Sequence, residues 1–143
     1  MESKLNAYLS DLVVFYHKLQ SYHWYIAGHT FLETHGKLEE YYNMINAQID
    51  DVAEVMLMNG YHPVATLEEF KNNSSIKEAK GEFNTDVKAV YTELCNDFHY
   101  LLDAVVSIKE AADEVSSYQI SSLMDEYISA YKKVIWMIEQ TMM

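Results

Sequence analysis

The sequence predicts an all-α chain, a four-helix bundle with a long crossover between its second and third helices. Three observations predict it. Four segments place apolar residues at alternating steps of three and four, the spacing of one helix face. Only 4 glycines and 1 proline interrupt 143 residues, too few for a turn-rich β sandwich or barrel. The links between the four segments run short, long, short.

The first helix spans about Lys4 to Ile26, on a stripe of Leu5, Leu9, Leu12, Tyr16, Leu19, His23 and Ile26. The brief link Ala27-Gly28-His29-Thr30 makes the second helix its antiparallel neighbour. That helix spans about Phe31 to Met58, with His35, Leu38, Tyr42, Ile45, Ile49, Val52 and Met56 as its stripe. The crossover from Gly60 to Glu82 contains Pro63 and two capping-box patterns, Thr66…Glu69 and Ser75…Glu78, so it should carry one or two short helices. The third long helix runs from about Asn84 to Ala112 on Val87, Val90, Leu94, Phe98, Leu101, Val105 and Ile108. A short link over 113–117 leads to the fourth, about Tyr118 to Met142, on Ile120, Leu123, Tyr127, Tyr131, Val134 and Ile138.

Length fits one domain over residues 1–143, long enough to bury a sizeable core. Ten basic residues against 22 acidic ones leave a net charge of −12. That argues against wide contact with nucleic acid or an anionic membrane and favours cations as partners. The single cysteine, Cys95, excludes an internal disulfide framework and a Cys-rich zinc site; beside Leu94 it reads as a buried or half-buried thiol. No run of ~18 apolar residues predicts a membrane span. The start, MESKLNAYLSDL, has no apolar signal region, so a cytoplasmic location is expected.

One long central crossover is the ferritin-like connection, which invites a search for the Glu-x-x-His pattern of metal sites inside such bundles. No glutamate in the chain has a histidine three positions later. The metal-type residues gather elsewhere. His23 ends the first helix, His35 and Glu39 stand at i, i+4 near the start of the second, and Asp50 and Glu54 stand at i, i+4 further along it. Singly, each histidine reads as a core residue and the acids as a solvated face. Jointly, imidazoles and carboxylates suit iron, manganese or zinc.

From His35 to Asp50 is 15 residues, about 22 Å along a straight helix, too far for one metal to bridge within a chain. On a helical wheel Asp50 and Glu54 project roughly 130–170° from the centre of the apolar stripe. They are either solvated acids or face a second subunit. Two such helices antiparallel across a two-fold axis would bring His23, His35 and Glu39 of one chain to Asp50 and Glu54 of the other, twice per dimer.

The stretch Tyr22-His23-Trp24…Gly28…Phe31…His35…Glu39…Asp50…Ala53-Glu54 resembles the Dps family, the "DNA-binding protein from starved cells" mini-ferritins. The shared pattern is His-Trp, a second His 12 positions on, an acid 4 later, and Asp-x-x-Ala-Glu beginning 15 after the second His. The resemblance extends along nearly the whole chain, to Trp136-Met137-Ile138. It implies a hollow dodecamer that oxidises Fe(II), typically with hydrogen peroxide, and stores the ferric product inside. It implies ferroxidase sites at two-fold interfaces, with His23, His35 and Glu39 from one subunit and Asp50 and Glu54 from its mate. Trp24 corresponds to the family's tryptophan beside the site, which takes up stray oxidising equivalents.

Two features depart from the family. The chain starts almost directly at its first helix, without the Lys-rich tail that binds DNA in many members, which argues against DNA binding. Near the start of the fourth helix Ser122 stands where an aspartate is common at the iron-admitting pore, although Asp113 and Glu114 remain. The rival readings are a nucleoid protein that condenses DNA and a zinc-holding shell without turnover.

Overall fold

The computed structural model describes residues 1–143 and contains helices and connecting segments only. They are α1 (Glu2–Tyr25), α2 (Phe31–Met58), α3 (Leu67–Asn73), α4 (Val87–Glu114) and α5 (Tyr118–Thr141). The four long helices are those expected. α1 packs along α2 and α4 along α5, α1 also meets α4, and α3 lies in the crossover against α1. No helix is long and apolar enough to cross a membrane.

Caps set the ends. α2 stops in a Schellman motif: Gly60 has φ 79°, its N–H donates to the Leu57 carbonyl at 3.1 Å, and the Tyr61 N–H donates to that of Met56 at 2.8 Å. α4 ends the same way on Ser116 (φ 57°), with the Ser117 N–H on the Ala112 carbonyl at 2.8 Å. That carries it past the expected stop at Ala112. Its start is later than expected because the Asp86 carboxylate caps the Ala89 N–H at 3.0 Å. Asn84 is drawn instead into a parallel bridge, accepting from the Ala27 N–H and donating to the Tyr25 carbonyl, each at 3.0 Å. The end of the crossover is thereby tied to the α1–α2 link.

Of the two capping-box patterns, only Thr66…Glu69 starts a helix, with both reciprocal bonds present at 3.2 Å. At Ser75…Glu78 the backbone does not coil. The Ser75 N–H is taken by the Asp11 carboxylate at 2.8 Å and Glu78 pairs with Lys71, so neither group is free to cap. Asp11 is buried in α1 and also accepts from the Ser74 and Tyr100 hydroxyls, each at 2.8 Å, pinning the crossover to α1 and α4. Asp11→Ala should cost about 2–3 kcal/mol, since a charged acceptor makes the stronger hydrogen bonds and three of them are lost together. Thermal denaturation would read the loss, with faster amide exchange at Ser75 locating it.

The core line of α2 keeps Leu38, Ile45, Val52 and Met56 of the expected stripe and is broadened to one side of it. Thr34, Leu38, Tyr41, Ile45, Gln48, Val52 and Val55 are buried, while His35, Tyr42 and Ile49 lie half-buried at its edge. Polar groups at the bundle centre satisfy one another. Tyr131 donates to Gln48 Oε1, so the Tyr8 hydroxyl donates to the Tyr131 oxygen. Cys95 is buried.

A buried charge joins α1 to α4. The Lys18 side chain is 0% exposed, and its Nζ lies 2.7 Å from Asp97 Oδ2 and 3.0 Å from Glu93 Oε1. Burial pushes the Asp97 carboxyl above its ordinary range, outweighing the pull of Lys18 in the other direction.

Candidate metal centre

Extended backbone at Ile26 and the positive φ of Gly28 turn the chain back on itself, setting the last turn of α1 against the first turns of α2. His23 and His35 meet there. His23 Nδ1 lies 2.7 Å from the His35 carbonyl oxygen, and His35 Nδ1 lies 2.8 Å from the His23 carbonyl oxygen. A carbonyl only accepts, so both Nδ1 atoms carry hydrogen. A neutral imidazole with hydrogen on Nδ1 keeps its Nε2 lone pair, the form that ligates a metal. The rings are stacked with centroids 3.6 Å apart and planes at 17°.

Glu39 is the third donor on this face. Its Oε1 lies 3.8 Å from His23 Nε2, and its side chain is 54% exposed. The Tyr42 hydroxyl donates to the same Oε1 at 3.4 Å, and the Tyr42 ring stands edge-on to His23 at 5.2 Å. Phe31 packs against the His35 ring at 4.7 Å. Two imidazoles and a carboxylate thus lie on one face, open to solvent on the carboxylate side, without being close enough together to hold an ion by themselves.

Asp50 and Glu54 are brought to each other and not to the histidines. Both are exposed on the outer side of α2. A hydrogen bond that the protonated Glu54 carboxyl donates to Asp50, followed by the Asp50 charge, holds Glu54 above the usual carboxylate range. No three His, Cys, Asp or Glu side chains of one chain are placed to hold a metal ion. What a single chain presents is two separate partial donor sets.

Trp24, next to His23 in sequence, occupies a different face of α1. It is 56% exposed, and its ring stands edge-on to His17 at 5.7 Å. Sequence reading missed Tyr42 as a site residue, because a tyrosine at helical spacing reads as core. The available signal was its position three residues after Glu39, one turn along the same face.

A family model for the ferritin-like domain matches residues 2–142. The "DNA protection during starvation protein" of Brevibacillus brevis is 33% identical over 94% of this chain and 89% of its own. "General stress protein 20U" of Bacillus subtilis is 31% identical over 94% and 92%. The crystal structure of a Dps protein from Bacillus brevis superposes with a TM-score of 0.93 at 31% identity, covering 99% of this chain and 94% of that one. The Dps protein of Vibrio cholerae O1, described as a member of a broad superfamily of ferritin-like diiron-carboxylate proteins, gives 0.94 at 31% identity over 99% and 88%. With the ferritin-like model matched over almost every residue and these relatives covered nearly end to end, the chain belongs to the ferritin-like Dps family.

Proposed function

We propose that this chain is an iron-sequestering ferroxidase that protects against oxidative damage. Fe(II) is its substrate, hydrogen peroxide or oxygen its oxidant, and ferric mineral stored inside a hollow shell of twelve copies its product. The family's ferritin-like character supports an iron-storage and stress-protection role. The observation that carries the finer reading is the stacked histidine pair, each Nδ1 bonded to a backbone carbonyl so that Nε2 is the ligating atom, with a carboxylate beside them.

His23, His35 and Glu39 of one chain hold the metal from one side. Asp50 and Glu54 of a second chain close the site from the other. Hard carboxylate oxygens favour Fe(III) over Fe(II), which assists loss of an electron to the oxidant. Each Fe(II) gives up one electron, and peroxide takes two with protons to become water. Zinc and manganese fit the same donors and would compete. Trp24, exposed on the neighbouring face of α1, would intercept stray oxidising equivalents. All ten basic residues are lysines set against 22 acids, so DNA binding is not part of this reading.

The test is an anaerobic titration with Fe(II) and peroxide. Peroxide should disappear in proportion to added Fe(II), in the ratio set by its two-electron reduction. A rate no faster than iron in buffer would overturn the reading. Light scattering should give about 200 kDa, a closed symmetric shell of twelve chains of 16.6 kDa. A stable monomer would leave Asp50 and Glu54 without partners.

A further inference from the structure

We propose that Tyr42 is a positioning residue for the metal centre, its hydroxyl holding the Glu39 carboxylate against His23. The inference rests on the metal-site reading above and names a residue that this reading does not need.

Glu39 is the least constrained donor of the group. It is largely exposed, it has one more rotatable bond than an aspartate, and His23 Nε2 at 3.8 Å is beyond hydrogen-bond range. The contact within that range is the Tyr42 hydroxyl, at 3.4 Å from Oε1. Tyr42 itself is well fixed. Its ring stands edge-on to His23 at 5.2 Å and 83°, and edge-on to Tyr16 at 5.7 Å and 90°. Tyr42 follows Glu39 by three positions, so both side chains rise from one face of α2. A ring clamped by two neighbours can therefore hold the end of a flexible acid.

The geometry leaves room for a metal. A carboxylate oxygen has two lone pairs and the group has two oxygens, so one accepts from the phenol while others face the cation. Donors on a ligating carboxylate orient it, and their loss typically costs 10–100-fold in metal affinity. Shortening the acid by one methylene takes it out of reach, because the present contact is already near the outer limit of a hydrogen bond.

The experiment measures Zn(II) affinity by calorimetry on the assembled protein, without oxidant, for the wild type, Tyr42→Phe, Glu39→Asp and the double variant. Phenylalanine keeps both edge contacts, and an unchanged native mass confirms the assembly. Tyr42→Phe should weaken Zn(II) binding about 10-fold in the wild-type background and less than about 2-fold in the Glu39→Asp background. A merely structural role predicts the same loss in both backgrounds, and that result would overturn the proposal. So would undiminished affinity in Tyr42→Phe. If wild type and His23→Ala bind Zn(II) alike, the metal centre itself is misassigned, and Tyr42 loses its role with it.

Discussion

His35→Ala and Asp50→Ala proteins, each inactive alone, regain roughly a quarter of wild-type ferroxidase rate when co-assembled in equal amounts. The figure follows from counting sites. Random mixing makes half of the two-fold pairs mixed. In a mixed pair one site loses both residues, while the other draws its His35 from the Asp50→Ala chain and its Asp50 from the His35→Ala chain. Half of the sites in half of the pairs are complete. The rate is read from peroxide consumption, after mass spectrometry confirms that the shells contain both chains. No recovery in verified mixed shells would place the whole site within one chain, against the 15-residue separation of the two donors along α2.

Lys18→Met lowers stability by about 3–5 kcal/mol, the usual penalty for removing one partner of a buried pair. The methionine fills much of the lysine's volume, so the loss reports charge more than packing. Asp97, 14% exposed in its side chain, would keep its negative charge with no cation at 2.7 Å. In a chain of this size each kcal/mol moves the thermal midpoint by about 2–4 °C, so a drop of roughly 10 °C is expected. The pH dependence carries the sign. The folded Asp97 carboxyl already titrates above its unfolded value because of burial, and Lys18 is what restrains that rise. A group whose pKa is raised on folding binds more protons in the folded state, so its contribution falls as pH climbs above the ordinary carboxylate range. Without Lys18 the fall steepens. The variant's deficit should be smallest at acid pH, where Asp97 is protonated, and largest near neutrality. A deficit independent of pH would assign the effect to packing.

The four long helices were legible because burial imposes a period of three and four on apolar residues, and α1, α4 and α5 keep to it strictly. In α2 the stripe held at Leu38, Ile45, Val52 and Met56 and missed at His35, Tyr42 and Ile49. Its buried line includes Thr34 and Gln48, which look polar, while half-buried His35 and Tyr42 look apolar. Ser75…Glu78 failed as a helix start because partners far away in sequence, Asp11 above all, had claimed its groups. The site divides in the same way. His23, His35 and Glu39 stood out by helical spacing and the fold sets them on one face, while Asp50 and Glu54 lie further along α2. The mutual histidine contacts did not show, because they end on backbone carbonyls, which every residue has. Lys18 stayed unread because Glu93 lies 75 positions away.

The clasp between His23 and His35 has a consequence for the order in which the protein is made. Both residues belong to the first two helices, which a ribosome completes before any of α3, α4 or α5 has emerged. Pairings between near neighbours in sequence form early. The two imidazoles therefore surrender their rotational freedom while the chain is still folding, and none of that entropy remains to be lost when an ion arrives. This part of the proposed metal grip would already be set before a second chain could complete it.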